Sequence, residues 1–371
     1  MKLKIIKILL VFTFILESAL AYSQSYYNRY EFRRKRHEIN FGAGASSCLT
    51  DLGGRDAVGS GFLWDIDIAK TSYVANFSYI YNLTNKIGLR TNLAYLKVSG
   101  DDAYAGDFYR NNRRLNFETT IIESSAIIEF NLINAKTGSR YNLKSPARKY
   151  LKQKNPIGIG LYVFAGFGGF FYEPTGYDRF IDVNNNIVGT GDKYKLRPLH
   201  TEGQGMPDGP IGFSNGATYS TFATCIPMGF GIKKAFNGVG GIKLEAGYRF
   251  TNTDYIDDVS TNYYDQNILA ANYGDGARIM SGTQTGKMFT YIGYAIDGNY
   301  PSGATLEPTL GGTNPYSLEK TYTEPGFQRG NPRNDDSYMF LTLSVYKKFT
   351  NTAKTYVNIH RRQKRKVKAS F

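Results

Sequence analysis

The sequence predicts an all-β protein: an eight-stranded antiparallel transmembrane β-barrel with long extracellular loops and a basic periplasmic tail. Three observations point there. Stretches of roughly ten residues alternate apolar and polar side chains about eight times, with almost no helical periodicity. Ile242–Phe250 is the clearest: Ile242, Leu244, Ala246, Tyr248 and Phe250 share one face, and Lys243, Glu245 and Arg249 the other. Composition agrees, with 30 Tyr, 24 Phe and 40 Gly and a slightly negative mean hydropathy, as expected when lumen and loops are polar and aromatics crowd the interfaces. The connections also alternate between short and long. A soluble β-sandwich or barrel is the alternative, against which stand apolar rows continuous across so many strands.

The chain opens on an export signal, residues 1–23. Lys2, Lys4 and Lys7 precede an apolar core, Ile8 to Ile15, and either Ala19–Leu20–Ala21 or Ala21–Tyr22–Ser23 fits a cleavage site. No cysteine marks a lipoprotein, and no later run supplies about 18 unbroken apolar residues. An exported chain that meets a membrane must then do so as a closed barrel, because only that form satisfies its backbone in lipid.

A basic segment, residues 24–36, leads into a barrel over 37–349. The first strand is read from His37 to Ser46, the second from Ser72 to Asn82, and the third, after a tight Leu83–Thr84–Asn85 turn, from Lys86 to Val98. The fourth runs from Phe117 to Leu132. The fifth, Ile157 to Phe171, turns Gly158, Gly160, Gly166 and Gly168 inward, leaving room for inward Tyr162 and Phe164 and for neighbouring bulk. Thr221–Lys233, Ile242–Phe250 and Tyr338–Phe349 complete the set, the last two joined by a long loop over 251–337. Short turns belong on the periplasmic side and long loops outside. The exception is a long periplasmic connection, Ile133 to Pro156. Lys287–Ile296 is read as loop structure above the barrel, a ten-strand barrel being the alternative.

Eight strands enclose a space that side chains just fill. The inward charges are Arg90, Lys243 and Arg249 against Glu123, Glu129 and Glu245, a set able to pair into an internal salt-bridge network. That reading excludes a porin; a proton or ion path is the alternative. Catalytic patterns are thin. Of three histidines, His37, His200 and His360, none has a ligand or base partner at useful spacing. No enzyme activity, metal site or cofactor is expected. Asp254, Asp257 and Asp258 read as a solvated acidic turn, with calcium binding as the alternative. Cys48 and Cys225 lie on strands three apart around the barrel, beyond bridging distance, which predicts two free thiols.

The formal charge of +14 is unevenly spread. Asn131–Pro156 carries seven bases and no acid: Lys136, Arg140, Lys144, Arg148, Lys149, Lys152 and Lys154. From Lys347 to Phe371 stand nine bases and no acid, most of them in a tail over 350–371 that includes Arg361, Arg362 and Arg365. Arg29, Arg33, Arg34, Lys35 and Arg36 precede the first strand, against Glu31. The topology puts all of these on the periplasmic face, whereas Asn252–Asp336 carries eleven acids against five bases. Such segregation favours an acidic periplasmic partner, protein or lipid, over a tail that only aids biogenesis. The residues expected to contact it are Arg33, Arg34, Arg36, Lys144, Arg148, Lys149, Lys152, Arg361, Arg362 and Arg365. Nucleic acid is not a partner in that compartment.

Two motifs carry a family resemblance. Phe41–Gly42–Ala43–Gly44 followed by Leu49–Thr50–Asp51–Leu52–Gly53–Gly54, together with Tyr248–Arg249–Phe250–Thr251–Asn252–Thr253–Asp254–Tyr255–Ile256–Asp257–Asp258–Val259–Ser260, resembles the PorG-type outer-membrane barrels of the type IX secretion system. The resemblance covers most of residues 36 to 350. It implies a non-enzymatic barrel that ties a periplasmic lipoprotein ring of the secretion machinery to the outer membrane. A small barrel with an adhesive or envelope-integrity role, acting through its outer loops, is the alternative, and a lipid-modifying barrel enzyme a third.

Overall fold

The computed structural model describes residues 35–52, 71–102, 113, 115–135, 158–181, 187–206, 216–236, 239–282 and 325–349. Eight strands form the ring: β1 (His37–Leu49), β2 (Ser72–Asn82), β3 (Ile87–Asp101), β4 (Asn116–Ile133), β5 (Ile159–Tyr177), β9 (Phe222–Ala235), β10 (Gly240–Thr251) and β11 (Ser337–Phe349). All neighbours are antiparallel, in the order β4-β3-β2-β1-β11-β10-β9-β5, and pairing of β4 with β5 closes the circle. The short strands β6 (Phe180–Ile181), β7 (Ile187–Val188) and β8 (Lys193–Lys195) lie between β5 and β9 in sequence, and only β8 joins the large sheet, on the far end of β5. The ring is the predicted eight-stranded antiparallel barrel. Lys287–Ile296 lies outside the described residues.

Alternation drives the closure. Along β3 from Ile87 to Tyr95, about the nine to eleven residues that a tilted strand needs to cross a bilayer, side chains turn alternately out and in. The outward set is apolar all round the ring: Phe41, Leu93, Ile128, Phe167, Phe230 and Leu343 are exposed, and Val345 is 63 % exposed. A surface so continuous is unstable in water and suited to lipid. Aromatic pairs edge it, Tyr73 with Tyr95 and Phe171 with Phe222 toward the long loops, His37 with Tyr79 and Tyr81 toward the short turns. At that lower end Thr84 fastens one turn by accepting from the Lys86 and Ile87 amides.

Strands β3, β4 and β5 run beyond the apolar band. The fifth strand continues to Tyr177 rather than stopping at Phe171, because Thr175–Tyr177 gain β8 as a pairing partner. The outward row turns polar there, with Glu118 2.8 Å from both Lys97 and Lys193, and Glu173 2.8 Å from Lys195.

The inward glycines of β5 make room for neighbouring bulk, as the sequence suggested, but not for Tyr162 and Phe164. Tyr162 and Phe164 do lie inside, buried, but room for them comes from β9. Tyr162 pairs across the strand with Gly231 and Phe164 with Gly229. A Cβ at those glycines would stand 2.3 Å from the Tyr162 ring and 2.7 Å from the Phe164 ring. Of the β5 glycines, Gly166 and Gly168 instead abut Ile127 and Ser125 of β4.

Above the ring the connections fold into a cap. Helices α1 (Gln266–Tyr273) and α2 (Asp275–Met280) lie within it. Asp265 caps α1 by accepting from the Asn267 and Ile268 amides, and Gly274 at φ +85° makes the corner between the two. Ile256, Val259, Leu52, Leu196 and Met280 pack with lumen residues Phe170, Phe340 and Tyr338 in one apolar cluster. The described parts of the long connections therefore form a lid seated in the mouth.

Candidate functional site

The lumen is filled by charge arranged in layers. Nearest the short turns, Glu38 of β1 meets Lys243 of β10 at 2.6 Å and Lys233 of β9 at 3.3 Å, with Lys348 of β11 at 3.7 Å. Glu129 of β4 shares the same lysines, at 3.7 and 3.5 Å. One layer up, Arg90 of β3 grips Glu245 through both guanidinium ends, at 2.5 and 3.1 Å, and the Tyr162 hydroxyl donates to the same carboxylate. The third layer is Arg249, whose Nε donates to Glu123 at 3.1 Å while its guanidinium lies over the Phe340 ring. Tyr338 and Ser125 also donate to Glu123.

All six charges named from sequence thus lie inside and meet one another. Glu38 and Lys233 join them and were missed, although strand alternation contains both: Glu38 shares parity with inward Asn40, and Lys233 follows outward Ile232. Each stands near a strand end, where a charge reads as rim. Four carboxylates and four cations, all buried, leave this part of the barrel packed with paired side chains. Such a lumen resists the passage of solutes, because buried ions are tolerated only while paired.

The mouth holds the second cluster, and it corrects the expected solvated turn. Asp257 and Asp258 are fully buried, with Asp254 and Asp336 nearly so. Strand β10 ends at Thr251, and the chain then dips inward. Asp257 accepts from the Leu52 and Val259 amides at 2.8 and 2.9 Å, Asp336 accepts from the Ile256 amide at 2.8 Å, and Thr119 donates to the Ile256 carbonyl. Asp258 accepts from the Thr201 and Tyr219 hydroxyls. Desolvation raises the pKa values of these carboxyls: Asp254 is pushed up to about 8, Asp258 to about 6, and Asp336 well above its ordinary range. Among the described residues no three His, Cys, Asp or Glu side chains form a metal-holding group.

Two buried arginines bolt the cap together. Arg329 donates to Glu202 and to the carbonyls of Asp258, Ser281 and Met280. Arg113 donates to Asp102 and to the carbonyls of Asp51 and Arg329. His200 stacks on Tyr273 at 4.5 Å, with Nδ1 2.6 Å from the Gln204 carbonyl. Cys48 and Cys225 are both free thiols.

Of the residues expected to meet a partner, only Arg36 is described. Its Nη1 donates to Tyr81 at 3.0 Å and its carbonyl accepts from Asn82, so it helps close the rim. Arg33, Arg34, Lys144, Arg148, Lys149, Lys152, Arg361, Arg362 and Arg365 lie outside the described residues, as do the signal and the tail. Lys234 and Lys347 extend the basic rim at this end, in register with Ile159 and Ile39.

No family model and no curated protein matches the chain. Matching solved structures include Ail, the attachment invasion locus protein of Yersinia pestis, bound to the heparin analogue sucrose octasulfate. It shows 9 % identity over 84 % of this chain and 97 % of that one, with a TM-score of 0.28. Neisserial surface protein A matches at 11 % identity over 84 % and 97 %, with a TM-score of 0.26. Likeness at this level says nothing of role, and the barrel assignment rests on its own strand register.

Proposed function

We propose that this protein is a non-enzymatic outer-membrane barrel that anchors a periplasmic assembly of the type IX secretion machinery. The observation that carries the reading is the pairing of a charge-filled lumen with strongly segregated surface charge. A barrel filled by Glu38, Lys243, Arg90, Glu245, Arg249 and Glu123 and lidded at one end is poorly suited to transport, which leaves its faces as working surfaces. The short-turn end is assigned to the periplasm, where the basic segments converge. A focused positive field there attracts an acidic partner and speeds its docking. The sequence resemblance names the class of partner, a lipoprotein ring beneath the membrane.

Deleting residues 350–371 after Phe349 leaves every described strand intact. Recovery of the periplasmic partner with the tagged barrel is expected to fall about tenfold or more, the scale of effect expected when a steering field is lost. Unchanged recovery would remove the tail from the docking surface. The alternative role, adhesion or envelope integrity through the loops, draws support from the ordered cap with its exposed Tyr273 and Phe327. On that reading the truncation changes nothing and the cap carries the activity.

A further inference from the structure

Three acids of the mouth, Asp254, Asp257 and Asp336, are poorly balanced among the described residues. Asp254 is 8 % exposed, and neither of its carboxylate oxygens makes a well-formed hydrogen bond. It faces Asp51 from the first connection, Asp257 from its own loop and Glu202 from the connection before β9, with the Ser260 hydroxyl as a weak contact. Asp257 faces Asp51 again and feels Arg113 through its field. Asp336 faces Asp257, Asp254 and Asp51, and Cys48 lies in the field of Asp336 and Asp257. Of the described guanidiniums, Arg113 is engaged with Asp102 and Arg329 with Glu202. No salt bridge reaches Asp254, Asp257 or Asp336 among the described residues.

We propose that the cap is latched to the barrel mouth by protons: Asp254, Asp257 and Asp336 are protonated while the cap is seated, and their ionisation unseats it. A buried carboxylate without a cation is costly, and taking up a proton is the cheaper way to stay dry. Asp258 supplies the contrast. It has two hydroxyl donors and a neighbouring Arg329, and burial raises it only to about 6, whereas Asp254 rises to about 8 and Asp257 and Asp336 move the same way. A carboxyl that holds its proton more tightly in the seated cap than in water, where its value is about 3.9, stabilises the cap fully below that value. The contribution declines as pH rises and is lost above about 8. The geometry says what is released. Leu52, Val259 and Ile256 give their amides to Asp257 and Asp336, so repulsion among the ionised carboxylates acts on the segments that seal the mouth.

The test is hydrogen exchange by mass spectrometry on the full chain in lipid nanodiscs, with protection corrected for intrinsic rates, from about pH 6 to about pH 10. Peptides over 253–259 should lose protection by about tenfold or more through the alkaline limb, as linkage to several raised carboxyls requires, while peptides over 339–346 stay protected. The double variant Asp254→Asn with Asp336→Asn should flatten that loss, its folding checked by heat-modifiable electrophoretic mobility. Flat protection in the natural protein overturns the latch, as does an equal loss in a folded variant. A third arm adds calcium or a chelator. Protection at high pH that depends on calcium would assign the balancing charge to a metal ion and also overturn it. If the variant does not fold, the pH profile and the calcium arm decide alone.

Discussion

Replacing Glu38 with alanine is expected to destabilise the barrel by about 3–5 kcal/mol, the cost of breaking a buried ion pair by removing one partner. Glu38 is fully buried and is the carboxylate closest to Lys243, with Lys233 and Lys348 also on it. Without it two buried ammonium groups share Glu129 alone among the described carboxylates, at 3.5 and 3.7 Å. The denaturant midpoint of the barrel in detergent checks this. Adding Lys243→Met to Glu38→Ala should recover part of the loss, since removing both partners leaves a smaller unpaired charge. A single variant as stable as the natural protein would mean that water fills this end of the lumen.

Arg329→Ala should release the cap and spare the barrel. Arg329 is buried and ties three segments: Glu202, the Asp258 carbonyl, and the end of α2 through Met280 and Ser281. Its loss removes the guanidinium from the buried Glu202 carboxylate, which also accepts from the backbone amides of Ser260 and Thr261 and the Thr261 hydroxyl, at a cost of about 3–5 kcal/mol to cap docking. Lysine should not rescue, because a point charge on a flexible stem cannot span a carboxylate and three carbonyls. Limited proteolysis checks both statements. Cleavage within 253–282 with an intact ring is expected, and resistance equal to that of the natural protein would contradict them.

The ring was legible in the sequence because a period of two is imposed by the strand itself. Ile242–Phe250 shows its lipid face and its lumen face without reference to any other element. The six lumen charges followed from the same parity. Glu38 and Lys233 obey it too, but each stands near a strand end, where a charge reads as rim. The choice of partners was not legible: Tyr162 opposes Gly231 because of register, which no single strand encodes. The cap was the larger gap. Its buried Asp257, Arg329 and Arg113 are joined across 205 and 216 residues of sequence, to Leu52 and between the two arginines, and polar loop residues carry no periodic sign that they will be enclosed. Asp254–Asp258 looked like a solvated turn for that reason. The basic periplasmic segments are plain in composition, yet composition names no partner.

The most direct test of the scaffold reading is site-specific photocrosslinking in native membranes, with the probe placed in turn at Lys149, Arg362 and Tyr273. An adduct with a periplasmic subunit of the secretion machinery is expected from the first two positions and none from the third. Adducts from Tyr273 alone, with nothing captured at Lys149 or Arg362, would contradict the scaffold reading and make the cap the working surface.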